Sequence, residues 1–146
     1  MLNTTGPKKA GQAASLIISV ATIYVLPLLV ILSIYLLLFG HNEPGGGFVG
    51  GLVFAAAFIL YAITHGTNEA RRMLRVDPKS LVAIGLLTAL LSGAVSFLQG
   101  KPFLSGLWFE APPYDWKVGT PLLFDAGIYL VVIGAVLTII FLLAED

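Results

Sequence analysis

The chain has 146 residues, of which 58% are hydrophobic and 11% charged, and its mean hydropathy is +0.94. Soluble domains carry about 25% charged residues, so water is excluded as the main solvent of this chain. Eight Lys and Arg balance eight Asp and Glu and there is no cysteine, which excludes a basic nucleic-acid surface and removes disulfides, thiolate metal sites and cysteine nucleophiles.

A spanning helix needs about 20 apolar residues, so this length allows four spans with short connections. Residues 1–14 are polar, carry Lys8 and Lys9, and read as a loosely ordered tail. The apolar run behind them is too long for a cleaved signal peptide. Residues 15–39 form the first span. Pro27 lies near its middle and predicts a kink, because proline removes a backbone donor and crowds the preceding turn. Residues 40–47 (GHNEPGGG) read as a turn, since three successive glycines disfavour helix. Residues 48–64 form a short second span, closed by His65 as an interfacial residue. Residues 66–80 read as a polar loop with Arg71, Arg72, Arg75 and Lys79.

Residues 81–98 form the third span. Residues 99–119 form a loop with Phe103, Trp108, Phe109, Tyr114 and Trp116. Aromatic side chains favour the headgroup layer, so the loop is expected to lie along the membrane surface, with at most a short helical turn. Residues 120–143 form the fourth span, with Thr120 as N-cap and Pro121 at the first helical position; Glu145 and Asp146 hang beyond it. The expected fold is an all-α integral membrane bundle of four transmembrane helices: residues 1–14 as a cytoplasmic tail and residues 15–146 as a single membrane domain. The N-tail and the second loop hold Lys8, Lys9, Arg71, Arg72, Arg75 and Lys79, against Lys101 and Lys117 on the other side. That bias puts both termini in the cytoplasm.

The glycine turn lacks the Lys-Ser/Thr of a phosphate cradle and follows a membrane helix rather than a strand. Its physical reading is close packing. Gly47, Gly51 and Ala55 share one helix face, and Gly46 and Gly50 share the next. The third span carries Gly85, Ala89, Ser92, Gly93 and Ser96, and the fourth carries Gly127 and Gly134. Small faces let membrane helices approach closely. Three smooth spans exceed what a small bundle needs internally, which points to some of them meeting other subunits; internal packing alone is the competing reading.

His41 and Asn42 end the first span. A histidine there either passes a proton near neutral pH or satisfies free helix-end carbonyls. Asp125 is the one carboxylate inside an expected span, about 6 Å from the helix start at 1.5 Å per residue. An intramembrane carboxylate is a functional candidate, and a carboxylate near a helix N-terminus is also favoured by the helix dipole alone. The middle of the bundle holds no ionisable group, whereas a proton pump needs a chain of them. The chain is therefore not expected to carry protons by itself. Two isolated histidines make no metal site, no nucleophile–base pair is visible, and neither an active site nor a cofactor is expected.

Two stretches, GHNEPGGGFVGG at residues 40–51 and TPLLFDAGIYLVVIG at residues 120–134, together resemble the B subunit of Mrp-type multisubunit cation/proton antiporters, with similarity from the first span to the end of the fourth. The resemblance implies a small non-catalytic subunit of a prokaryotic cytoplasmic-membrane complex that exchanges sodium for protons. The implied role is assembly, with a lining of the ion path as the finer reading. Implied partners are other hydrophobic subunits, including large ones related to respiratory complex I, and the lipid bilayer. Equivalent modules of energy-converting membrane-bound hydrogenases, or a purely structural assembly subunit, are the alternatives. By matching positions, His41 and Asp125 are the ion-path or coupling candidates. Asn42, Pro44, Gly45, Gly46, Gly47, Phe48 and Gly51 form the turn and packing motif, with Phe48 anchoring it against a neighbour.

Overall fold

The computed structural model describes residues 6–40, 45–111 and 116–145. In chain order these form α1 (Gly6–Phe39), α2 (Gly46–His65), α3 (Thr67–Leu74), α4 (Pro78–Leu98), β1 (Trp108–Ala111), β2 (Trp116–Gly119) and α5 (Thr120–Leu143). Four of the helices, α1, α2, α4 and α5, are long and apolar enough to cross a membrane, as the apolar runs predict.

The boundaries differ from expectation where polar residues are good helix formers. α1 begins at Gly6, so residues 6–14 are helical rather than a loose tail. Pro7 is tolerated in a first turn, and the Lys, Ala and Gln that follow favour helix. The helix continues through Pro27. α2 starts inside the glycine run, after Gly45 at φ 105°, a left-handed conformation that glycine adopts without steric cost. α4 starts at Pro78 after Asp77, whose carboxylate accepts from the Lys79 N–H at 3.2 Å. Capping by Asp with proline just inside the start moves the boundary ahead of the apolar run.

Two connections expected as loops are ordered. Residues 67–74 form α3, with Glu69 accepting from Arg72 at 3.0 Å one turn later. Ala70 is fully buried and Leu74 packs against the core, so a two-residue apolar stripe docks the helix. Arg71 lies over the Phe141 ring, 5.0 Å from its centroid, and bonds Glu145 at 2.6 Å, tying α3 to the end of α5. The aromatic loop contains an antiparallel hairpin rather than a helical turn, in the register Trp108↔Gly119 to Ala111↔Trp116. Gly119, not Thr120, caps α5. The Thr120 hydroxyl instead accepts from the Leu107 N–H at 3.0 Å, and the Thr120 N–H donates to the Leu107 carbonyl at 3.0 Å. This long-range pairing overrides the local capping signal.

The spans stand in the order α1, α2, α5, α4. The central pair buries more of its length within the chain than α1 or α4 does. The core runs along α2 and α5 through Ala55, Phe58, Ala62, Tyr129, Ile133, Leu137 and Phe141. α2 and α5 run parallel, Gly47 lying on Asp125 and Gly51 on Tyr129 and Val132.

The small faces are used inside the chain, which corrects the expectation that some of them meet other subunits. A methyl added to Gly85 would lie 2.6 Å from the Gly127 carbonyl, and one on Gly127 would lie 2.7 Å from the Gly85 carbonyl; Gly134 lies on the Pro78 carbonyl, and Gly93 lies under Phe103 and Leu104. What α1 and α4 turn outward is bulky: Ile23, Tyr24, Leu28, Ile31, Leu87, Leu90 and Leu91 are exposed. Membrane helices gain packing energy where backbones approach closely, so glycine is spent on internal contacts and large aliphatic side chains face the surroundings. Replacing Gly127 by Ala is expected to lower stability by about 1–3 kcal/mol through overpacking. Gly11→Ala, where a methyl meets nothing within 4 Å, is expected to raise stability by about 0.5–1 kcal/mol through helix propensity alone. Unfolding curves of the purified variants in mild detergent check both.

Candidate functional site

The two motif stretches meet in space. The last residue ahead of the turn, Gly40, and the first of α2, Gly46, touch backbone to backbone: a methyl on Gly40 would lie 2.6 Å from the Gly46 Cα. Such an approach admits no side chain at either position. One helical step on, Gly47 seats against the backbone of Asp125. Gly50 lies between the Ser33 carbonyl of α1, 2.8 Å from an added methyl, and the Tyr129 ring at 3.4 Å; Gly51 lies against the Tyr129 carbonyl and Val132, both at 2.9 Å. The glycine ladder at the start of α2 is thus a floor on which residues 125–132 of α5 rest.

A polar bridge crosses this floor. Ser33 is fully buried and Tyr129 is 8% exposed. Their hydroxyls lie 2.9 Å apart, and the Ser33 hydroxyl also reaches the Val30 carbonyl at 2.8 Å. With the serine proton on that carbonyl, the phenol donates to Ser33, so both buried groups are satisfied. The bridge joins α1 to α5 past Gly50, where any side chain would obstruct it. The Phe54 ring meets Tyr129 edge-on at 6.1 Å and closes one side.

Asp125 is half-buried in the second turn of α5, beyond the first turn in which the helix dipole acts most strongly. His41, Asn42 and Pro44 lie outside the described residues. Gly45, Gly46, Gly47 and Gly51 take the positions just given. Phe48 is 51% exposed, and no neighbour that it anchors against is found among the described residues. His65 closes the opposite end of α2: its ring stacks on Tyr61 at 4.4 Å, Nε2 lies 2.9 Å from the Ser19 hydroxyl and Nδ1 2.7 Å from that of Thr64. That set of neighbours fits a helix-end residue. Among the described residues, no three His, Cys, Asp or Glu side chains come together to hold a metal.

Sequence reading missed Ser33 and Tyr129. A weak signal exists for each. Tyr129 follows Asp125 by four residues and so shares its helix face. Ser33 continues the stripe of Thr22 and Leu26 that α1 buries.

Comparison with known proteins identifies the frame in which these residues sit. Residues 17–138 match the model of a family described as a domain related to the MnhB subunit of Na+/H+ antiporter. The B subunit of the Na+/H+ antiporter of Bacillus subtilis (strain 168) is 39% identical over 134 residues, covering 90% of this chain and 94% of that one. Its counterpart in Alkalihalophilus pseudofirmus is 41% identical over 117 residues, covering 78% and 81%. A solved structure of the Mrp complex from Dietzia sp. DQ12-45-1b contains a chain that superposes with a TM-score of 0.81 at 30% identity, over 98% of this chain. This chain spans 15% of the length of that one.

The Ser33–Tyr129 bridge is expected to couple α1 to α5 energetically. A double-mutant cycle of Tyr129→Phe and Ser33→Ala, read from unfolding in detergent, should give an interaction energy of about 0.6 kcal/mol and at most about 1.7, the range of hydrogen bonds between membrane helices.

Proposed function

The chain belongs to the family of domains related to the MnhB subunit of Na+/H+ antiporters, and from that membership we propose that it is the small B-type subunit of a multisubunit cation/proton antiporter in a prokaryotic cytoplasmic membrane. The likeness to antiporter B subunits over nearly the whole chain carries this reading. Its partners in the proposal are the other hydrophobic subunits of the complex, including large ones related to complex I.

The physical chemistry limits what this subunit contributes. Between Asp125 near one end of the bundle and His65 at the other, α2 and α5 contain no Asp, Glu, Lys, Arg or His. A proton or cation route through a bilayer needs ionisable or water-holding groups along its length, so the central charges of the path belong to other subunits. This chain supplies shape: an α2–α5 joint whose glycine floor fixes the start of α5, with Gly47 seated on the Asp125 backbone. Asp125 and His41 are the positions at which it would meet the ion path, and Asn42, Pro44 and the glycines hold the turn. Chemistry of its own is not part of the proposal.

Both termini face the cytoplasm in this reading. Arg71, Arg72, Arg75 and Lys79 gather around α3 at the end where Glu145 also lies, whereas Lys101 follows α4 at the opposite end. The excess of cations marks the cytoplasmic side.

Two measurements test the proposal. Deleting the chain should abolish Na+-dependent proton movement in everted membrane vesicles. D125N and H41A should leave the complex assembled, as seen by co-purification of its large subunits, while lowering exchange; loss of the assembled complex would instead make these residues structural. For orientation, the chain lacks cysteine, so V76C should react with an impermeant maleimide in inverted vesicles and K101C in right-side-out ones. The opposite pattern would reverse the topology.

A further inference from the structure

The segment between α4 and β1 folds back along the helix it has just left. α4 ends at Leu98, and the chain reverses through Gly100 at φ 71°, with the Gly100 N–H on the Phe97 carbonyl at 3.0 Å and the Lys101 N–H on the Ser96 carbonyl at 3.2 Å. The Phe103 ring then lies over Gly93, 2.7 Å from where a methyl would be, with the Leu104 side chain beside it at 3.0 Å. Gly93 is five residues inside the end of α4, or roughly 7.5 Å along its axis at 1.5 Å per residue. Phe103 and Leu104 therefore stand at the depth of the last apolar turns of the span, not above them.

Irregular backbone at membrane depth is tolerated only where its polar groups are satisfied within the protein. Several polar groups of this segment are satisfied in that way. The Ser105 N–H donates to the Pro102 carbonyl at 3.1 Å, the Ser96 hydroxyl donates to the Ser105 carbonyl, and Leu107 exchanges two bonds with Thr120. Leu104 also holds φ 64°, an unfavourable region for a branched L-residue. It places there a side chain that the rest of the chain leaves 53% exposed. Phe103 is 52% exposed, and both continue the apolar surface of Phe97 and Leu98, which are 68% and 84% exposed.

We propose that residues 101–108 form a wedge seated in one leaflet of the bilayer, with Phe103 and Leu104 among the lipid acyl chains. Lys101 and Trp108 lie at headgroup level, where a cation on a long stem and an indole are favoured. The occupant is lipid, because the wedge surface is continuous with the apolar outer face of α4. The wedge holds the end of α4 and the start of α5 at a fixed depth. It rests on the membrane-spanning nature of the helices and not on the antiporter reading.

The test uses the full chain, free of native cysteine, within its complex in reconstituted native lipid. F103C and L104C, each carrying a nitroxide, are compared with V76C on the loop between α3 and α4. The expected result is frequent collision with dissolved oxygen and several-fold less collision with a water-soluble nickel complex than at V76C. Collision with nickel as frequent as at V76C would put the segment in water. Protection from both reagents would put it under another protein. Either outcome overturns the proposal. Should both variants fail to assemble, W116F leaves Trp108 as the single remaining tryptophan of the two. In vesicles of brominated phospholipid, its fluorescence should be quenched, and unchanged emission would overturn the wedge.

Discussion

Everything in this subunit depends on α5 being gripped on opposite sides by backbone contact. One side of α5 offers the main chain of Asp125 and Tyr129 to glycines of α2; the other offers its own Gly127 and Gly134 to α4. Lipid tails are as apolar as leucine, so burial of apolar area gives helices little reason to associate, and close van der Waals approach does most of the work. A helix gripped twice in this way has little freedom to rotate or slide, because each glycine pair fixes both register and angle. α1 and α4 have one such contact face each and stand at the flanks. The Ser33–Tyr129 hydrogen bond gives α1 a second point of attachment, reaching past α2 at the one place where Gly50 leaves room.

Much of this was legible in the sequence because the membrane imposes a coarse grammar. The apolar runs mark four spans, and the fourth matches α5 from Thr120 to Leu143. The glycine stripes were visible as well, but their destination was not. A small face is compatible with a partner inside the chain or outside it, and only the pairing of Gly85 with Gly127, and of Gly47 with Asp125, decides. The missed elements share a cause. α3 has eight residues, too few for a periodic signal, and is held by Ala70, Leu74 and Arg71 against distant parts of the chain. The hairpin and the cap of α5 depend on Leu107 meeting Thr120 across thirteen positions of sequence. Local capping rules favour Thr120 as N-cap, and a non-local pair of hydrogen bonds outweighs them.

The candidate site shows the same division. The resemblance selects residues 40–51 and 120–134 as a pair without showing that they touch. The structure gives the pairing a mechanical sense: the glycines after the turn are the seat of the α5 segment that bears Asp125. Gly46 and Gly47 are restricted by contacts that leave no room for a methyl, so a requirement for glycine there follows from assembly of the joint, whatever the ions do. The same contact joins the backbone of Asp125 to the start of α2. Structural and transport roles are then not alternatives for the motif as a whole. The glycines of α2 hold the joint, and His41 and Asp125 remain the candidates for exchanging a proton or attracting a cation, Glu43 being the other carboxylate of the two stretches.

A subunit without central charges has a definite use in an ion-translocating assembly. Its described core along α2 and α5 is closely packed and holds no Asp, Glu, Lys, Arg or His between Asp125 and His65, which places the central charges of the proposed path outside this chain. The end of the bundle that bears the turn is also the end where the hairpin and the segment ahead of it pack on the starts and ends of helices, through Gly93, Leu107 and Thr120. Asp125 lies near that end, while the basic residues around α3 are held at the other, tied by Arg71 to Glu145 and Phe141. Rigidity between the ends is the property that the glycine joints confer. Neither α2 nor α4 can slip against α5 without forcing a glycine contact apart.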